Sequence, residues 1–290
     1  MPNSQARTWL IKCTLMAVAV LLVCRLATVW VGTRLQQPAA TTRDGNFITL
    51  NRYVQEPTPD IVLVGSSVAW RLKEENFLLP RVRNLALPGG SAVTGLEIVA
   101  KQTHLPKIVL IEANVLSRPA DDALIARFAG SARSDTLLRP LRTAVAAYET
   151  WNHPPPEPAQ VRASLEYLLK QPPSGFDNRV YVERAVKEMN AEDAAPQVSA
   201  NARLIRQLVA DVEQRGARAF LIEVPVAPEI ESTRLIRESR AIVREVFPGQ
   251  AHWLRIDAPQ AELRWADGVH LDERSALIVA RAIEKALDGR

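Results

Sequence analysis

The sequence predicts an α/β protein with a mostly parallel sheet, carried on an N-terminal membrane helix. Three observations lead there. Apolar, largely β-branched runs such as Ile61–Val64 (IVLV) and the core of 107–115 (KIVLIEANV) lack polar alternation, as do strands buried on both faces of a parallel sheet. Stretches of helical pattern separate these runs, as crossovers between parallel strands require. Residues 9–31 are apolar around the whole helical circumference, whereas a core helix of a soluble domain keeps a polar stripe.

Bulk properties narrow the function classes. The 290 residues suffice for a substantial core, and 47% hydrophobic with 23% charged residues is the balance of a folded chain. The formal charge of +4 is small and its charges are interspersed. No basic block or arginine–aromatic pattern points to nucleic acid. Both cysteines, Cys13 and Cys24, lie in the N-terminal apolar segment, which leaves the remainder without a disulfide or a thiolate metal site. No two of His104, His153, His252 and His270 stand at a helical metal-ligand spacing, and no metal or cofactor is expected.

In chain order, residues 1–31 read as a membrane anchor. The uncharged core, 13–24, falls short of the about 20 residues that a span needs. Snorkelling of Lys12 and Arg25, with Trp9 and Trp30 at the interfaces, makes up the length. Arg7 and Lys12 form the positive leading end of a signal anchor, and no small-x-small cleavage site adjoins the core. An uncleaved single span of the cytoplasmic membrane is expected, with the bulk of the chain outside the cytoplasm. Arg25, Arg34 and Arg43 follow the core, so charge bias alone does not choose the orientation. Residues 32–59, rich in Gln, Thr, Pro and Gly, read as a polar tether.

From 60 to 290, strands and helices alternate. Strand Ile61–Val64 closes on Gly65-Ser66-Ser67, and a helix is predicted over 68–79. A strand over 82–87 runs into Pro88-Gly89-Gly90-Ser91, followed by a helix over 92–103 and a strand over 107–115. Residues of about 119–200 break the rhythm as a helical insertion, with helices predicted over 121–128, 136–151, 158–170 and 179–190 between Pro-rich joints. A helix (201–215), strand (219–224), helix (231–247), short strand (253–257) and helix (273–287) complete the chain. With right-handed crossovers, this order gives a three-layer α/β/α sandwich with a flavodoxin-like sheet.

Two motifs fall at strand ends, where open α/β sheets bind ligands and the next helix offers free N–H groups. A serine of Gly65-Ser66-Ser67 can be an N-cap or a nucleophile. Asp267-Gly268-Val269-His270 precedes the last helix. That spacing can hold a carboxylate against one imidazole nitrogen and free the other, as a serine nucleophile requires. A capping Asp beside a solvated His gives the same pattern.

Together with two further blocks, these motifs resemble, in order, the four blocks of the SGNH (GDSL-like) hydrolase family. Gly65-Ser66-Ser67 matches the first block, making Ser67 the implied nucleophile. Asn84-Leu85-Ala86-Leu87-Pro88-Gly89 matches the second, implying the Gly89 N–H as an oxyanion donor. Glu112-Ala113-Asn114-Val115 matches the third, implying the Asn114 side chain as another donor. Asp267 to His270 matches the last, with Asp267 and His270 as the implied catalytic partners. The resemblance covers 60–116 and 262–285 but not the insertion. Ser66 stands where the family carries Asp, Glu112 where it carries Gly, and Val115 where it carries Asp. A Glu112 carboxylate pointing at the oxyanion would oppose negative charge there. Divergent relatives include alginate O-acetyltransferases and the D-alanyl transfer protein of teichoic acid synthesis.

The resemblance implies a membrane-anchored esterase or acyltransferase acting on O-acyl groups of exported envelope glycans or lipids. A transferase would also need a membrane protein that donates the acyl group. The alternative classes are a catalytically inactive SGNH-like binding or scaffold protein and a cytoplasm-facing α/β protein with a chance match. Arg118, Arg127, Arg133, Arg139 and Arg142 suit either solvated helix faces or a cleft wall. Trp70, Trp151 and Trp265 suit either core packing or sugar stacking.

Overall fold

The computed structural model describes residues 2–31, 39–129, 148–149 and 151–289. The chain divides into two compact units, Met1–Arg52 with Arg133–Pro156 and Tyr53–Ala132 with Glu157–Arg290.

In the first unit, α1 (Pro2–Val31) contains Ser4–Cys24, a stretch of mean hydropathy 1.8 and none of it buried, long and apolar enough to cross a membrane. The segment expected to be an irregular tether holds a second helix, α2 (Thr42–Gln55). Its turn-forming residues start it rather than interrupt it: the Thr41 hydroxyl accepts the Asp44 N–H at 3.1 Å, and Asp44 in the first turn suits the positive helix end.

The second unit is built on a four-stranded parallel sheet of order β2-β1-β3-β4. Its strands are β1 (Ile61–Val64), β2 (Val82–Asn84), β3 (Ile108–Glu112) and β4 (Arg218–Ile222). Ile61 pairs with both Val82 and Ile108, so β1 is central. The chain leaves β1 towards one neighbour and returns on its other side, which makes the C-terminal edge of β1 and β3 the topological switch point.

Helices pack on this sheet in the manner its apolar strands demand. Helix α4 (Ala92–Ala100) is almost wholly buried and meets β1 closely, since a Cβ on its Gly95 would lie 3.2 Å from the Val64 side chain. Strand alternation turns Leu63 away from Val64. Leu63 joins Ile61, Leu110, Phe220 and Ile222 in a cluster with Ala276, Val279, Ala280 and Ile283 of the last helix, α11 (Glu273–Asp288).

Between β3 and β4 the described residues contain no strand. They form α5 (Asp122–Phe128), α6 (Pro158–Lys170), α7 (Arg179–Ala191) and α8 (Ala195–Gln214), the last beginning earlier than predicted. The helix predicted over 136–151 lies almost entirely outside the described residues, as do Arg133, Arg139 and Arg142. After β4 come α9 (Pro228–Glu231) and α10 (Arg234–Val246).

Two further predicted elements differ more sharply. The helix expected over 68–79 is a single turn, α3 (Ser67–Trp70), followed by a 3-10 turn at Glu74–Asn76. The Asn84 amide donates to the carbonyls of Ala69 and Leu72, each at 2.8 Å, taking acceptors that a continuing helix would use. The strand expected over 253–257 makes one parallel bridge, Leu221 to Trp253, beside β4. Leu254 is drawn into the core instead, and no ladder extends beyond the bridge.

Candidate active site

The two serines of Gly65-Ser66-Ser67 have different partners. Ser66 is the N-cap of α3: its backbone is extended and its buried hydroxyl accepts the Val68 N–H at 3.2 Å. Ser67, the first helical residue, is partly exposed and meets His270, its Oγ 2.8 Å from Nε2. Its own N–H, at the head of the helix, has no intrahelical acceptor.

His270 is held by Asp267. Asp267 Oδ2 lies 2.7 Å from His270 Nδ1, while Oδ1 accepts the backbone N–H groups of Val269 at 3.0 Å and His270 at 2.8 Å. Gly268 makes this turn possible at φ +88°, where a Cβ would also lie 3.0 Å from Ile230. The turn is pinned from outside: Ala227 donates to the Gly268 carbonyl at 2.8 Å, and Ala266 to that of His270 at 2.8 Å. Asp272 then caps α11 through the Ser275 N–H. Burial pushes the Asp267 carboxyl up, but its hydrogen bonds to His270 and Val269 and the attraction of the imidazole outweigh that and hold it at about 2. The carboxylate therefore stays charged and fixes the imidazole with one nitrogen on Ser67. Residues 203 apart in sequence meet in this way.

The two implied oxyanion donors follow β2 and β3. Among the described residues, no hydrogen bond takes the N–H of Gly89, which is exposed. Its loop is tied to the serine turn by the Leu87 N–H, which donates to the Gly65 carbonyl at 2.9 Å. Asn114 is buried and clipped to one residue, its Oδ1 accepting the Val224 N–H and its Nδ2 donating to the Val224 carbonyl, both at 2.8 Å. One Nδ2 hydrogen is thereby used, and a second remains.

Glu112 has a different place from the one feared for it. It is fully buried, yet its carboxylate is taken up by backbone: Oε2 accepts the Ser66 N–H at 2.7 Å and Oε1 the Val115 N–H at 2.8 Å. Burial pushes this carboxyl up, against hydrogen bonds from the Ser66 hydroxyl and from the N–H groups of Ser66, Val115 and Asn114. The close fit needs Gly65, where a Cβ would lie 2.7 Å from both the Glu112 and Ala69 Cβ atoms.

Asn84 and Glu112 are the positioning residues whose roles the sequence did not reveal. Asn84 clamps α3 through its amide and accepts the Ala86 N–H at 2.8 Å. The only signal for Asn84 was its place at the start of a block; for Glu112 it was the departure from Gly. Of the three tryptophans that suit sugar stacking by sequence, Trp265 is tied to the Pro225 carbonyl at 3.0 Å, Trp151 is exposed on the first unit, and Trp70 stands half-exposed at the end of α3. Comparison with protein-family models and with curated proteins finds no match.

Proposed function

We propose that this chain is a membrane-anchored serine esterase or acyltransferase of SGNH type, acting through an acyl-serine intermediate on O-acyl groups of exported glycans or lipids. The observation that carries this reading is the Ser67–His270–Asp267 relay, with contacts of 2.8 and 2.7 Å at a parallel sheet's switch point. On the same reading, the fold is a three-layer flavodoxin-like sandwich, and α1 anchors it with the catalytic unit outside the cytoplasm.

His270 Nε2 takes the proton as Ser67 Oγ attacks the ester carbonyl, and Asp267 stabilises the imidazolium. The Gly89 N–H, the second Asn114 Nδ2 hydrogen and the Ser67 N–H receive the oxyanion. Removal of one such donor costs about 100- to 1000-fold in rate. Collapse expels the alcohol, which recovers the proton from His270. Water or a sugar hydroxyl, deprotonated in turn by His270, then attacks the acyl-serine. Water makes the protein an esterase; a sugar hydroxyl makes it a transferase.

The Asn114–Val224 clip favours a second reading, a binding or scaffold domain that performs no turnover, because it engages one of the oxyanion donors. A fluorophosphonate probe separates the two. Wild type should label and Ser67→Ala should not, with His270→Ala labelling far more slowly. Labelling that is absent, or unchanged in Ser67→Ala, would reject the enzyme in favour of the scaffold.

A further inference from the structure

The catalytic unit contains a cavity of about 220 Å³ that the proposed chemistry leaves unused. Its walls come from both catalytic turns: Trp70 and Arg71 end α3, Leu271 and Asp272 directly follow His270, and α6 of the insertion closes the far side. Ser67 and Trp70 stand three apart on one helical turn, a spacing that makes side chains neighbours. Trp70, on the cavity wall, thus stands one helical turn from Ser67.

Its lining has two characters. Trp70 keeps 47% of its surface exposed, and the Arg71 guanidinium lies 5.9 Å from its ring centroid, within cation–π range. Leu165, Leu168, Leu271 and Ala276 extend that apolar wall, and the rim is charged. Lys73 pairs with Glu273 at 3.2 Å, and Asp272 is fixed by the Ser275 N–H at 2.8 Å. A pyranose ring matches both characters, with a C–H face for the indole and hydroxyls for the rim. The volume falls below the about 300 Å³ at which pockets for drug-sized ligands begin. One sugar ring suits it better than a long tail.

We propose that this cavity is a sugar subsite, so that the acyl group handled by Ser67 is borne by, or delivered to, a glycan rather than a lipid. The inference rests on Ser67 being the nucleophile. The test uses the full chain in detergent, with O-acetylated cellotriose as the sugar probe. Saturation-transfer NMR on Ser67→Ala, which needs no turnover, should mark the sugar C–H protons, and adding Trp70→Ala should erase the signal while Trp70→Phe keeps part of it. In turnover, Trp70→Ala should raise KM for O-acetylated cellotriose at least fivefold more than for p-nitrophenyl acetate. No saturation transfer, transfer indifferent to Trp70, an equal effect on both esters, or a larger effect on p-nitrophenyl octanoate would each overturn the subsite. Absence of Ser67-dependent turnover would instead reject the enzyme reading, and the NMR result alone would then decide whether the cavity binds sugar.

Discussion

Asp267 uses both carboxylate oxygens, one on the imidazole and one on two backbone N–H groups of its own turn. Its role is therefore double, orienting His270 and holding the loop that carries it. The pH dependence follows from the sign of its shift. A carboxyl held at about 2 when folded, against an ordinary 3.8, adds stability that is complete above about pH 4 and is lost as pH falls through 2. The thermal midpoint of wild type should exceed that of Asp267→Asn by a constant margin from neutrality to about pH 4, and the margin should close towards pH 2. A margin already closing at pH 6 would contradict this assignment. The same variant should lower the Ser67 reaction rate on the order of 10⁴-fold, as expected when a triad histidine adopts the wrong tautomer. At this scale the sequence was informative where chemistry is local. Asp and His three apart can meet within one turn, and they do. The resemblance already pointed to Ser67, whereas the capping role of Ser66 was not legible, since a serine at either position suits a cap.

At the scale of elements, the site is a set of strand ends tied together by buried polar side chains. Asn84 joins the end of β2 to α3, Asn114 joins the end of β3 to the segment after β4, and Glu112 joins the end of β3 to the serine turn after β1. Glu112→Gln tests the last tie, because it keeps the volume but turns one acceptor into a donor facing an N–H. It should destabilise the fold by about 1–3 kcal/mol in denaturant titrations, the cost of a buried unsatisfied group. It should also slow fluorophosphonate labelling on the order of 10²-fold in the still-folded protein, as a shift of about 1 Å in the nucleophile can. Unchanged stability and labelling would deny Glu112 any positioning role. The strands were legible because their apolar runs need burial on both faces. The length of α3 was not, because what stops it is a side chain 12 residues beyond Leu72, brought in by β1–β2 pairing.

For the whole molecule, the apolar N-terminal helix and the unit that carries the candidate site make separate demands. Ser4–Cys24 is unburied and is long and apolar enough to cross a membrane. The proposed function on exported glycans requires the catalytic unit outside the cytoplasm. Alkaline phosphatase fused to the C-terminus, an enzyme active only after export, should therefore be active in intact bacteria, whereas fluorescence of a green fluorescent protein fusion without phosphatase activity would place the unit inside. The α/β class, the long apolar N-terminal helix and the Asp267–His270 pair were determined by the sequence alone. Each depends on periodicity, length or spacing along the chain, which the chain itself carries. The short α3, the helix within 32–59, the single bridge at Trp253, the capping role of Ser66 and the burial of Glu112 against backbone N–H groups were decided only by the tertiary structure. Each depends on which hydrogen-bond partner or apolar neighbour arrives from elsewhere, and spacing along one chain does not encode that competition.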